Sequence, residues 1–323
     1  MDGGQTPSIN WIWGVLNMRN KSVLWAKTKK QMVWYSFLII SIVNLVVLVY
    51  WPMITTVRYS FYEVSMLGFG ENFVGIHNYR MLIYNPVFMR SVRNTLILTV
   101  YSLLTIPLGF ILATLINGIK LSKLQAFFRV GFYLPNIITG VSVILVFQVV
   151  LRANGGLLNN FLSFFTRNPV TIGWLSHSSW AQFGVSIIAI WGGLGYSMLI
   201  NLASLQSIPS EIYEAAEVDG AGPFQSWRAI TIPQMTPCFV FLFITGVIGG
   251  LARFTDLFIL SGNNAGGRPA GVLQTLMMFI YMFSFESPNF GIASAGAVIL
   301  FVFTLLVTLV NLKVTGFFRK NQI

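Results

Sequence analysis

Residues 31–57 run without a single charged side chain. A stretch of about 20 apolar residues is long enough to cross the hydrocarbon of a bilayer as a helix. Inside lipid a helix is also one of the two structures that satisfies its own backbone N–H and C=O groups. Five more stretches read the same way, at residues 94–118, 130–151, 181–205, 237–260 and 291–312. The second carries Pro107 and Gly109, which predict a kink. The sixth carries Gly291, Ala295 and Ala297 for close helix packing. Only 9% of the chain is charged and 55% is hydrophobic, against about 25% charged in a soluble domain. The predicted class is therefore an all-α polytopic membrane protein with about six transmembrane helices.

Charge sets the expected topology. All eight lysines fall in residues 21–30, at Lys120 and Lys123, or at Lys313 and Lys320. With six spans these places share one side, which the positive-inside rule makes cytoplasmic, together with both termini. The net charge of +11 is thus read as topology and not as a nucleic-acid footprint. Residues 1–30, basic and bearing Trp11 and Trp13, read as an interfacial segment and not a cleaved signal. Residues 31–318 form the membrane domain and 319–323 a tail. The apolar run 272–285 is too short to span and reads as a re-entrant or interfacial helix on the outer side. The single cysteine, Cys238, reads as a small core residue.

One polar segment interrupts this pattern between the fourth and fifth spans, within residues 206–235. Glu211 to Pro233 holds four of the nine acidic residues. Pro209 suits a helix start and Gly220 a helix end. Gly222 and Pro223 open a second short helix with Phe224, Trp227 and Ile230 along one face. The product is a helix-turn-helix loop at the cytoplasmic surface.

Glu214-Ala215-Ala216, Asp219-Gly220-Ala221, Ile230 and Pro233, with Pro209 five residues before the glutamate, resemble the EAA loop of permease subunits of bacterial ABC importers. Trp227 stands where that family more often has Phe. The resemblance implies a type I ABC importer permease fold in which this loop is the coupling helix, docking into a groove of a separate ATPase subunit. Ala215 and Ala216 allow close approach, and Glu214 offers a carboxylate to a basic partner. Phe224 belongs to the same docking set. Flanking residues widen the likeness. Phe73 to Tyr79, Asn94-Thr95-Leu96, Gly155 to Asn159, Trp191, Gly195, Ala203-Ser204-Leu205, Phe285 and Gly291 to Ala295 resemble the carbohydrate, maltose-type branch. The run Ser261 to Pro269 is a few residues longer than the family's usual glycine-rich run.

That resemblance implies the partners: a second permease, two ATPase subunits, an extracytoplasmic solute-binding protein and a sugar or oligosaccharide cargo, in the bacterial inner membrane. ATP and Mg would sit on the ATPase subunits, since these 323 residues contain no GxxxxGK[ST] phosphate loop. The expected cargo path takes Trp191, Gly193, Gly195 and Tyr196 from the fourth span. The fifth contributes Gly246, Gly250 and Arg253, at i, i+4 and i+7, with Asp256. Arg253 and Asp256 can pair with each other. A charge within a span is usually placed for function, so Arg253 is also a candidate to hold an anionic sugar of the alginate kind.

Other classes fit less well. A secondary transporter needs ionisable residues in several spans, and only Arg253 and Asp256 qualify. A membrane enzyme needs a catalytic cluster, but His77 and His177 have no spaced metal ligands or nucleophile beside them. An ABC importer for a non-sugar solute shares the same motifs and stays open.

Overall fold

The computed structural model describes residues 34–36, 38–64, 71–138 and 140–314. The basic segment 1–30, the tail 319–323 and Lys320 lie outside the described residues. The chain divides into two compact units, with the boundary after Arg58. The first contributes all but the last residue of α1 (Trp34–Tyr59), an apolar helix long enough to cross a membrane whose described side chains are exposed or half-buried.

The second unit begins with a two-stranded antiparallel ribbon, β1 (Tyr62–Glu63) and β2 (Asn72–Phe73), paired Tyr62 to Phe73. Helices α2 (His77–Tyr84), α3 (Pro86–Leu103) and α4 (Thr105–Asn117) follow. Asn85 caps α3, its Oδ1 accepting from the amides of Val87 and Phe88 at 2.9 and 3.2 Å. Pro86 sits at N1, where its missing N–H costs nothing. The second apolar helix therefore starts eight residues before the expected 94 and runs Pro86–Asn117. Its break falls at Leu104, between α3 and α4, and not at the expected Pro107 and Gly109. The proline ring clashes with the carbonyl four residues earlier, which places the disturbance at Leu103 and Leu104.

The expected third span, 130–151, is two helices, α5 (Ser122–Ile137) and α6 (Gly140–Val150), bent by 99°. Pro135 lies inside the last turn of α5. Next come α7 (Leu157–Thr166), α8 (Ser178–Gln206) and α9 (Ser210–Val218). Then α10 (Pro223–Gln234) and α11 (Thr236–Leu251) meet at 56°. The expected fifth span, 237–260, stops at Leu251, and a separate α12 (Thr255–Leu260) follows a break at 252–254. Arg253 therefore lies in a helix break and Asp256 in the first turn of α12, and neither sits inside a continuous span. The last helices are α13 (Leu276–Glu286) and α14 (Phe290–Val314).

Two cores organise the bundle around the site. Phe110, Ala113 and Ile116 of α4, Met198, Leu202 and Leu205 of α8, and Met235, Cys238 and Leu242 of the α10–α11 arm bury one another. Elsewhere Leu98, Ala181, Val185, Leu257, Leu273 and Met278 close a second cluster. The run read as re-entrant or interfacial contributes α13, whose Met278 and Phe279 are fully buried. Phe279 packs with Leu82, Phe88 and Ala295, so this helix rests on protein.

The flanking motif residues turn out to be ties. Asn78 Nδ2 donates to the carbonyls of Ser60 and Tyr62 at 3.0 and 2.9 Å, and Gly291 packs against that same Tyr62 carbonyl so closely that a Cβ would come within 2.3 Å. Asn94 Nδ2 donates to the carbonyls of Gly271 and Gln274 at 2.9 and 3.0 Å. Gln182 Nε2 donates to Asn94 Oδ1 and to the Val272 carbonyl, so α3 and α8 together clamp the segment before α13. Asn159, 1% exposed, donates to the carbonyls of Ala153 and Ile172 and accepts from Trp174 Nε1 at 2.8 Å. Buried polar groups satisfied this fully make the loops rigid.

Candidate coupling loop and transport cavities

Helices α9 and α10 form the loop that the sequence placed here. Asp219 closes α9, and Gly220 follows at φ +81°, a left-handed conformation that glycine adopts without penalty. The Ala221 amide reaches back to the Ala216 carbonyl at 2.9 Å. Gly222 then caps α10, with Pro223 at N1. The two helices are pinned by the Tyr213 and Thr231 hydroxyls, 2.8 Å apart.

The loop presents a defined face. Glu214, Ala215, Asp219, Gly220, Phe224 and Pro233 are exposed, while Ala216, Ala221 and Ile230 are half-buried. Val218 and Phe224 are 88% and 72% exposed. Large apolar side chains this open beside a bare carboxylate and two small residues suit a protein partner. Behind the face, Phe224 stacks on Trp227 with centroids 6.0 Å apart, and Trp227 stacks on Phe110 at 5.8 Å. Phe110 then meets Phe239 edge-on at 5.0 Å. An aromatic column thus runs from the exposed tip of α10 into α4 and α11. The large ring of Trp227 completes it.

The pathway candidates separate into groups. Gly193, Tyr196, Gly246, Gly250 and Arg253 line one cavity of about 240 Å³, together with Ser102, Thr105, Thr245 and Gly249. A second cavity, about 550 Å³, is lined by the bend between α5 and α6 and by the break between α11 and α12, including Asn136, Gly192, Arg253, Thr255 and Asp256. The two share Ala189 and Arg253. Irregular backbone at membrane depth is tolerated where it is buried or lines a cavity, and here two helix breaks face one cavity.

Trp191 lies apart. It lines an apolar groove with Phe127, Phe128 and Phe132 and meets Phe147 edge-on at 5.2 Å. Gly195 is a packing contact, since a Cβ there would lie 2.2 Å from the Phe132 carbonyl oxygen. Gly250 both lines the cavity and packs on Thr99 of α3, whereas Gly249 has open space around its Cα. Gly249 went unsingled in the sequence because the helical spacing from Arg253 selects 246 and 250. The Gly249-Gly250 pair itself was the available signal.

Arg253 is the charged centre. Its side chain is 9% exposed. Nε donates to Asp256 Oδ2 at 2.7 Å and Nη2 to the Val185 carbonyl at 3.0 Å, while Nη1 is buried with no hydrogen-bond partner among the described residues. Asp256 offsets the charge, so the cavities gain a hydrogen-bond donor more than a net positive field.

Comparison with known proteins agrees with this architecture. The chain is 31% identical over 289 residues to the probable ABC transporter permease protein YurN of Bacillus subtilis, covering 89% of this chain and 96% of the relative. It is 32% identical over 286 residues to the multiple sugar-binding transport system permease protein MsmF of Streptococcus mutans, covering 88% and 96%. In fold it superposes with TM-score 0.76 on a chain of a bacterial ABC transporter involved in the import of the acidic polysaccharide alginate, at 24% identity, covering 93% and 99%. Residues 105–316, which hold the α9–α10 loop and most of the lining of both cavities, match the model of the binding-protein-dependent transport system inner membrane component, and the chain belongs to that family.

Proposed function

We propose that this chain is the permease subunit of an ATP-driven importer for sugars or oligosaccharides and forms half of the translocation path. The observation that carries the reading is the pairing of a protein-docking loop on one side of the bundle with hydroxyl- and glycine-lined cavities between its broken helices. A polyhydroxyl cargo needs hydrogen-bonding groups within an otherwise apolar bundle. Ser102, Thr105, Thr245, Tyr196 and Arg253 supply them. The name of MsmF, a relative that spans nearly the same length, supports sugar as the cargo class.

The remaining parts follow from the loop. An ATPase subunit receives α9 and α10, and a second permease supplies the facing half of the path and the second coupling loop. A solute-binding protein delivers cargo at the opposite surface. Both termini lie on the coupling-loop side. ATP closure of the ATPase pair carries the two coupling loops as rigid bodies. The spans tilt, and the cavities turn from one side of the membrane to the other. Hydrolysis takes place on the partner subunits.

Purification of the tagged chain from its native membranes in mild detergent, followed by mass spectrometry, tests the reading. An ATPase subunit and a second permease in near-equal amounts are expected, with uptake of sugar by the reconstituted assembly. A chain that emerges alone, or an assembly that moves no sugar, overturns it.

A further inference from the structure

Helix α7 has a face that neither the coupling loop nor the cavities use. Leu157, Phe161, Phe164 and Phe165 fall at i, i+4, i+7 and i+8, one stripe of a helix, and are 63%, 60%, 79% and 66% exposed. The opposite side is anchored. Leu158 and Leu162 pack on the cluster of Leu151, Trp174 and Ile188, and Asn159 makes the hydrogen bonds already described. The helix is therefore held rigidly with four large apolar side chains pointing away from the protein.

Its position says what covers them. α7 begins seven residues after α6 ends. It precedes the first turn of α8, whose far end leads into the coupling loop. At about 1.5 Å per residue, the 29 residues of α8 span about 43 Å, so α7 and the coupling loop lie at opposite membrane surfaces. Trp180 and Phe183, 41% and 48% exposed on those first turns of α8, meet Trp174 with ring centroids 5.2 and 6.1 Å apart, and Trp174 is hydrogen-bonded to Asn159 of α7. Exposed Arg152 and Arg167 bracket the helix. Aromatic side chains at headgroup level with arginines beside them form the belt found at membrane–water interfaces.

We propose that α7 is a membrane-interface helix, seated with Leu157, Phe161, Phe164 and Phe165 in the phospholipid leaflet opposite the coupling loop. It moors the outer mouth of the path to the bilayer surface while the coupling loop moves at the other side.

The test uses the full chain with Cys238→Ser, carrying one new cysteine at a time: Leu157→Cys, Phe161→Cys, Phe164→Cys or Phe165→Cys, with Asn154→Cys as the aqueous control. Four positions on one face keep the test intact if one variant fails to fold. Each is labelled with an environment-sensitive fluorophore and reconstituted in phosphatidylethanolamine–phosphatidylglycerol vesicles containing phospholipid spin-labelled near the headgroup. Quenching at the stripe positions at least threefold above Asn154→Cys is expected, with and without the co-purifying subunits. Equal quenching, with ready access of aqueous iodide, places the face in water and overturns the proposal. Lipid quenching lost on adding the co-purifying subunits assigns the face to a protein partner and overturns it as well.

Discussion

Arg253 and Asp256 face each other across the end of a helix, the guanidinium Nε donating to the carboxylate at 2.7 Å while α11 stops at Leu251 and α12 starts at Thr255. The pair holds together a break that also borders both cavities. Removing one partner of a buried ion pair costs about 3 kcal/mol or more, and the low end applies because Asp256 is 28% exposed. Asp256→Asn should therefore lower the thermal unfolding midpoint in detergent by several degrees, with no loss of helix content at low temperature. An unchanged midpoint would show that the pair contributes little.

The same arginine separates two cargo classes. Nη1 is buried without a hydrogen-bond partner among the described residues, so a cargo group that reached it would satisfy an open donor. A hydrogen bond to a charged group is worth about 1.5–3 kcal/mol, or roughly a tenfold to hundredfold change in affinity. If the cargo is an acidic oligosaccharide, Arg253→Ala should depress its uptake by about tenfold or more and leave a neutral sugar nearly unaffected. Uptake of both classes equally intact would remove Arg253 from the cargo site.

In the coupling loop, Glu214 is exposed, so Glu214→Lys should leave the fold alone and act on the ATPase contact. Gly220→Pro acts on the loop itself. Proline fixes φ near −65°, against +81° here, and it removes the amide that donates to the Glu217 carbonyl at 3.0 Å. Both variants should lose sugar-stimulated ATP hydrolysis, by about tenfold or more, with Glu214→Lys alone retaining the parent melting temperature. Normal stimulation in both would sink the coupling role.

The aromatic column gives the loop a mechanical connection to the spans. Stacked aromatic pairs contribute about 0.5–1.5 kcal/mol beyond their buried area, and Trp227 makes two such contacts. Trp227→Leu should assemble with the ATPase yet transport fewer molecules per ATP hydrolysed, and Trp227→Phe should recover much of the ratio. A ratio unchanged in Trp227→Leu would confine Trp227 to packing.

Local pattern explains how much of this was legible in the sequence. The helix-turn-helix of residues 210–234 could be read because its turn chemistry is written in consecutive residues, Asp219-Gly220 and Gly222-Pro223. The apolar helices were found by length, but their ends were not. Asn85 capping extended α3, and the carbonyl clash of Pro107 moved the kink to Leu104. The 99° bend after Ile137 follows Pro135 in the last turn of α5, and neither it nor the break at 252–254 shows in hydropathy, which registers apolar length and not helix continuity. Residues 272–285 read as a re-entrant or interfacial helix because length alone distinguishes a span. Their packing on protein depends on Asn94 and Gln182, far away in sequence, whose side-chain amides donate to the carbonyls of Gly271, Val272 and Gln274. Trp191 and Gly195 share a helix with Tyr196, yet their rotation about its axis sends them to other neighbours.

The two glycine types can be told apart by substitution. A Cβ at Gly195 would collide with the Phe132 carbonyl at 2.2 Å, whereas Gly249 has nothing within 4 Å and borders the smaller cavity. Gly195→Ala must push α5 away from α8, and backbone cannot yield as a flexible side chain does. It should reduce the yield of folded protein and lower the unfolding midpoint. Gly249→Leu instead fills open space, and in a helix leucine is favoured over glycine by several tenths of a kcal/mol. Its midpoint should hold or rise, while sugar uptake falls by about tenfold or more because the side chain occupies a cavity of about 240 Å³. Stable protein with full uptake in Gly249→Leu would place the cargo elsewhere, with the 550 Å³ cavity beside Asp256 the next to block.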